Sequence, residues 1–380
     1  MVLAMEEIRM KKLSLLVFML MVLPLVLAAC GTAQECPQCP ACPECPTCPT
    51  CEACPECPKV AAGGQIVAAV KARGKVVCGV HTELLGFGYL DPNGRNVGFD
   101  PDFCRATAAA VFGNSEAVEF VPLTAAERGP ALQTGEIDLL VRNCTWTSSR
   151  DVQWGNFVGV TFYDGQGMMV RKASGDTTLE DLDGATVCVT TGTTTELNLA
   201  DAFRSRGLSF TAVTFEDTAS VYSAYEDGRC DAATSDKSQL AAVRAGFANP
   251  DDHVIMDITM SKEPLTPVVP AGDDQWFDIV KLTLYVLINA EELGVNSANV
   301  DAMKGDANPS IKRLLGVEGS FGQEDLGLAT DFAVNVIKQV GNYGEIYNRY
   351  MGPDGLAFEL PRGQNELWSD GGLIYAPPLR

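Results

Sequence analysis

Two short segments carry side chains able to hold a small dipolar ligand. The first, Asn143-Cys144-Thr145-Trp146-Thr147 with Arg150 three residues on, offers an amide, hydroxyls, an indole and a guanidinium. A guanidinium is a planar fork of donors that fits a carboxylate bidentately, so Arg150 is a candidate grip for a ligand carboxylate. The second, Thr191-Gly192-Thr193-Thr194-Thr195, stands between a predicted strand and a predicted helix. Backbone N–H groups at a helix start attract the same kind of anion. Asp236, just past another predicted strand, would match an ammonium. Taken singly, each feature has an ordinary structural explanation: a surface ion pair, a capping turn, an N-cap. Their joint placement on two halves of the molecule suits a zwitterion and favours closure of a cleft around it.

The second chemistry is that of cysteine. Eight of the 14 cysteines, Cys36 to Cys57, recur at strict three-residue spacing, most of them followed by proline. Polyproline II has 3 residues per turn, so this spacing predicts an extended rod with all its thiols on one edge. Neighbouring thiol positions are then about 9 Å apart, beyond the roughly 7 Å limit for a disulfide, unless the rod bends or pairs between chains. Cys-x-x-Cys is also a familiar pair of metal or redox ligands, but a mononuclear site needs two such pairs on a folded scaffold. A stalk is therefore the reading favoured here. Of the later cysteines, Cys188 and Cys230 share the predicted second unit and are the first pair expected. Cys78 with Cys104 is the second, leaving Cys144 odd.

These groups need elements to position them. Val76 to Val80 reads as a buried strand, followed by a loop from His81 to Leu90 and a turn at Asp91-Pro92-Asn93-Gly94. Asp100-Pro101 reads as the start of a helix to Phe112, with Asp100 as N-cap. Strands at 118–122, 137–142 and 167–171 alternate with helical segments, and a second unit follows: strand 185–190, helix 197–206, strand 210–215, helix 220–227 and strand 231–235. The chain returns at Pro267 to Pro270 before a long helix from Trp276 to Leu293. Such a beta-alpha rhythm predicts mostly parallel sheets, and two excursions between units predict two hinge strands with a cleft between lobes. Ligands of open sheets collect at the carboxyl ends of strands.

Ahead of this lies an export device. Lys11 and Lys12, an apolar run from Leu13 to Leu27 and then Leu27-Ala28-Ala29-Cys30 have the layout of a secretory signal, too short to span a bilayer comfortably. The last four residues resemble the bacterial lipobox, which implies lipidation of Cys30. A formal net charge of −21 works against binding nucleic acid or anionic lipid.

The segments Asp138-Leu-Leu-Val-Arg-Asn-Cys-Thr-Trp-Thr147, Tyr163-Asp-Gly-Gln-Gly167, Gly192-Thr-Thr-Thr-Glu-Leu-Asn-Leu-Ala-Asp201 and Trp276-Phe-Asp-Ile-Val280 resemble the general L-amino acid-binding proteins of ABC importers. So do Glu291-Glu-Leu-Gly294, Gly341-Asn-Tyr-Gly-Glu-Ile-Tyr347 and Asp370-Gly-Gly-Leu-Ile-Tyr-Ala-Pro-Pro378. The resemblance runs in order from about Ile66 to Arg380. It implies an α/β, two-lobed periplasmic-binding-protein (type II) fold with two hinge strands, and delivery of an L-amino acid to permease subunits. The expected state is a monomer unless the stalk cross-links, lipid-anchored to the cell membrane on its periplasmic side or outer face. The expected division is a signal at 1–29, a lipidated stalk at 30–64, lobe 1 at 65–168, lobe 2 at 169–266 and a return to lobe 1 with a C-terminal extension at 267–380. By the same resemblance Arg150 grips the α-carboxylate, helped by Thr145, Thr193 and Thr194. Asp236 takes the α-ammonium with Asn143 near it, Phe87 packs on the ligand, and His81, Arg142 and Gln166 line the pocket. Two departures bear on substrate preference: Cys144 replaces the usual Thr, and Glu83-Leu84-Leu85 replaces a smaller stretch.

Enzyme readings do poorly. There is no Gly-x-Ser-x-Gly elbow and no Walker loop, Gly165-Gln-Gly167 lacks the third glycine of a dinucleotide loop, and His81 and His253 have no metal-ligand spacing. No cofactor or metal is expected. The strongest alternative is a cyclohexadienyl dehydratase-like enzyme on the same fold, for which Glu83 is the unusual candidate acid. A third is an anchored interaction or redox protein in which the stalk matters most.

Overall fold

The computed structural model describes residues 64–353, 355 and 358–380. The signal, Cys30 and the cysteine stalk to residue 63 lie outside them. Among the described residues, no helix is long and apolar enough to cross a membrane.

Two sheets organise the chain. In the first, the order is Val118–Pro122, Val76–Val80, Leu139–Leu140, Val268–Val269 and Asn156–Phe157. The first three strands are parallel and the returning Val268–Val269 is antiparallel. Strand alternation sends Val76, Cys78 and Val80 into one core, and Val77 into a smaller core with Ile137, Leu140 and Phe157 on the opposite face. The helix Asp274–Glu292 covers the larger core with Trp276, Ile279, Val280, Thr283, Leu284, Leu287 and Ile288, the i, i+3, i+4 stripe of an amphipathic helix. Asp273 caps it by accepting from the Trp276 N–H at 2.9 Å, and the Trp276 indole donates to the Asp138 carbonyl at 2.7 Å.

In the second sheet, the order is Phe210–Phe215, Ala185–Thr190, Ala232–Asp236, Phe162–Arg171 and His253–Ile255. Its two faces bury separate clusters, Met168, Val170, Val187 and Val189 on one side and Met169, Cys188 and Ala233 on the other. The strand Phe162–Arg171 does double duty. Residues 162–165 pair antiparallel with Lys262–Leu265, and residues 166–170 pair with Asp236 back to Ala232. The two strands of the first run, 162–165 and 262–265, are the connections between the lobes, whereas the second run belongs to the second sheet; Thr145 bridges to Leu265 at the first-lobe end of the connection.

Cys78 pairs with Cys104 and Cys188 with Cys230, each within one lobe, and Cys144 is free and buried. The loop expected at His81 to Leu90 instead carries strands Glu83–Leu84 and Gly88–Leu90, which pair with each other and with Asn96–Val97. Asp100 is not the N-cap of its helix. The helix begins at Phe99 behind Gly98, whose φ of 135° and close approach to the Phe87 carbonyl leave no room for a Cβ. The C-terminal segment lies across the hinge: Asn365 accepts from the Tyr163 N–H at 2.6 Å and donates to the Tyr163 carbonyl at 3.1 Å. Arg362 beside it forms an ion pair with Glu291.

Candidate functional site

The loops at the strand ends meet in a small cavity between the lobes, lined from one side by His81, Ala125, Arg128, Arg142, Asn143 and Thr145 and from the other by Thr190, Thr193, Thr194, Thr195, Thr218, Ser235, Asp236 and Gln239. The lobes touch across it. His81 Nε2 lies 3.1 Å from Thr218 Oγ1, Asn143 Nδ2 donates to Gln239 Oε1 at 3.4 Å, and the hydroxyls of Thr145 and Thr194 are 3.4 Å apart.

On the first lobe the chain leaves the strand Leu139–Leu140 and turns at Asn143, whose φ of 31° is the left-handed conformation that Asn tolerates better than most residues. The Asn143 N–H donates to Asp100 at 2.7 Å, and Trp146 N–H donates to the Pro264 carbonyl at 2.9 Å, so the segment is tied both to the core and to the hinge. Thr147 then caps a short helix by accepting from the Arg150 N–H. Arg150 is buried, donates to the Thr145 carbonyl at 3.1 Å and lies 4.7 Å from the Trp154 ring centre. Arg128 lies over the same indole at 5.6 Å.

On the second lobe, Thr193 caps the helix Thr194–Arg206 by accepting from Glu196 N–H at 3.1 Å. Thr194 donates to Glu263 at 2.9 Å, so its hydroxyl is anchored to the hinge strand. Asp236 ends its strand in the N-cap position of Lys237–Ala245, yet its side chain makes no cap hydrogen bond. Burial pushes its carboxyl well above the usual range, Asp164 and Glu263 push the same way, and Arg128 and Arg150 pull it back. Asp164, held by Ser238 and the Gly165 N–H, is pushed up to about 6 by burial. His81 is held neutral, its pKa lowered by burial and then by Arg142 and Arg128. Its Nδ1 accepts from the Glu83 N–H, which leaves the proton on Nε2.

Seven of the residues singled out from the sequence, His81, Arg142, Asn143, Thr145, Thr193, Thr194 and Asp236, line the cavity. Three do not. Arg150 stands behind Thr145, its guanidinium held by that residue's carbonyl and stacked on Trp154. Phe87 is fully buried in the first-lobe core, edge-on to Phe99 and Phe162, and cannot pack on a ligand. Gln166 is also fully buried, its amide donating to the Thr195 carbonyl at 2.8 Å and to Thr234 at 3.0 Å, so it braces the second lobe rather than the pocket. Arg128, Thr218, Ser235 and Gln239 were missed. Arg128 opens the helix Arg128–Thr134 that follows the strand Val118–Pro122, so it too stands at a strand's carboxyl end, although its segment has the look of an ordinary helix start.

Two hinged α/β lobes, joined by paired strands and closed on a polar cavity, define a solute receptor. The chain belongs to the bacterial extracellular solute-binding proteins, family 3, which it matches over residues 76–353. It is 53% identical over 322 residues, 84% of this chain and 94% of the relative, to the general L-amino acid-binding periplasmic protein AapJ of Rhizobium johnstonii. It is 47% identical, over 84% of this chain and 95% of the relative, to the glutamate/glutamine/aspartate/asparagine-binding protein BztA of Rhodobacter capsulatus. Among solved structures, a periplasmic binding protein of an ABC transporter from Brucella ovis with glutathione bound superposes with a TM-score of 0.80 at 48% identity, covering 84% of this chain and 100% of that one.

Proposed function

We propose that this protein captures an L-amino acid by hinge closure and hands it to the membrane subunits of an ABC importer. Asp236 receives the α-ammonium. Arg150, which stands behind Thr145 with its guanidinium on that residue's carbonyl, turns outward to receive the α-carboxylate together with Thr145 and the helix start at Thr193 and Thr194. The observation that carries the reading is the placing of Asp236 from one lobe and of the buried guanidiniums of Arg128 and Arg142 from the other around one cavity, none of them in an ion pair among the described residues. The relatives are named as amino-acid-binding proteins, which supports binding rather than the dehydratase reading, and Glu83 is exposed at the rim. A lipid on Cys30 and a cysteine-proline stalk would hold the receptor at the membrane surface.

Calorimetry of the purified protein against the common L-amino acids tests the core of this. Arg150→Ala and Asp236→Ala are each expected to remove binding, because a buried charged hydrogen bond contributes about 2–5 kcal/mol. Circular dichroism of both variants is expected to match the parent. Retention of affinity within about threefold in either folded variant rejects the assignment.

A further inference from the structure

The cleft carries more positive charge than a zwitterion can use. Among the described residues Arg128, Arg142 and Arg150 take part in no salt bridge. Asp236 is the one carboxylate lining the cavity. Arg128 is 3% exposed and Arg142 6% exposed. Each spends its Nε on a backbone carbonyl, Arg128 on Ala125 at 2.9 Å and Arg142 on Leu123 at 2.7 Å. Neither terminal nitrogen of Arg128 has a partner among the described residues, and Arg142 offers only a 3.5 Å contact from Nη1 to Asn143. Both guanidinium ends therefore face the cavity unpaired. Burial lowers both pKa values, helped by Arg150 at Arg128 and by Arg128 at Arg142, to about 10 for Arg128 and about 9 for Arg142, so both remain charged at neutral pH.

The acids nearby offset this charge only in part, Asp100 and Glu83 at Arg142 and Asp236 at Arg128. Asp100 gives one carboxylate oxygen to the Asn143 N–H and is pushed by burial up to about 7. Glu127 and Asp217, at the cleft mouth, are taken up by Thr124 and Ser220. Glu83 and Glu216 are exposed to solvent. His81 is neutral and contributes only its Nε2 proton.

A buried guanidinium without a counter-charge is costly, and a ligand that supplies one gains what the empty site lacks. A neutral side chain leaves both arginines unpaired, and a basic one adds a third positive charge. Resting on the amino-acid reading above, we propose that the substrate is an L-amino acid with a second acidic group, of the glutamate and aspartate kind. Its side-chain carboxylate is held by Arg128 and Arg142 while Asp236 and Arg150 hold the backbone ends.

Glutamate and glutamine have nearly the same shape, so their affinity ratio isolates the charge. Calorimetry of the intact protein is expected to show glutamate binding more than about tenfold tighter than glutamine, with arginine weakest. Arg128→Gln and Arg142→Gln are each expected to lower glutamate affinity by more than about tenfold and to narrow the glutamate to glutamine ratio. A ratio below about tenfold in the parent protein, or the same ratio in both folded variants, overturns the proposal while leaving amino-acid capture standing. Failure of every amino acid to bind removes the underlying reading as well. The parent ratio requires no variant to fold.

Discussion

Asp236 occupies an N-cap position with a carboxylate that caps nothing, whereas Asp217 and Asp273 in comparable positions do cap their helices. A buried acid kept out of that job, with its pKa raised, is poised to ionise when a cation arrives. An ammonium seated against it lowers its pKa again, so binding should expel a proton, up to about one per ligand. Calorimetry in buffers of different ionisation enthalpy reads this directly: the apparent binding enthalpy of the parent should change with buffer at mildly acidic pH, and a buffer-independent enthalpy contradicts it. The same scale explains which residues were legible in the sequence. Asn143, Thr145 and Asp236 announced themselves because polar residues directly followed strand-like runs. Arg128 did not, because Ala125-Ala126-Glu127-Arg128 reads as the opening turn of a helix. Phe87 misled for the opposite reason: an aromatic in a cleft loop looks like a ligand platform until the neighbouring Phe99 and Phe162 are seen to enclose it.

Among elements, the hinge depends on a side chain that imitates a strand. Asn365 satisfies both the N–H and the carbonyl of Tyr163 at the point where the first connecting strand leaves the first lobe. Asn365→Ala removes both partners and is expected to cost about 1–3 kcal/mol. In a protein of this size that lowers the melting temperature by several degrees. An unchanged melting temperature argues that water replaces the amide without loss. Strands 76–80, 118–122, 185–190 and 210–215 were readable to the residue because each is a short β-branched or apolar run with clear breakers on either side. The hinge was harder. Phe162–Arg171 was read as beginning only at Gly167, since Tyr163, Asp164 and Gln166 give no period-two pattern; Asp164 is taken up by Ser238 and Gln166 by Thr195 and Thr234, partners distant in sequence. The C-terminal contact had no local signature at all, because a loop residue pairing with a strand some 200 positions away is visible only once the chain has folded.

For the molecule as a whole, buried acids dominate the response to pH. Asp100, Asp102, Asp138, Asp164 and Asp236 all have pKa values raised by burial, Asp100 to about 7 and Asp164 to about 6. Each keeps its proton to a higher pH folded than unfolded, where the value is near 4, so the native state binds more protons between about pH 4 and 7. Their contribution to stability therefore falls as pH rises through that window, by an order of a few kcal/mol in total. His81 and His253 act the other way: burial lowers both native pKa values, so their contribution is lost as pH falls below about 6.5. The raised acids outweigh the two histidines, and partial discharge of the net charge of −21 acts in the same direction. The melting temperature is expected to be higher near pH 5 than near pH 7.5, and scanning calorimetry without ligand checks it; a maximum at or above neutrality contradicts this balance.

All four tryptophans, Trp146, Trp154, Trp276 and Trp368, belong to the first lobe or the C-terminal segment packed on it, and Trp154 lies beneath both Arg128 and Arg150. An anion that draws either guanidinium away from the indole changes the quenching of that one fluorophore, while the second lobe contributes no indole emission of its own. The intrinsic fluorescence of the unlabelled protein should thus act as an optical gauge of occupancy, and Trp154→Phe should silence it.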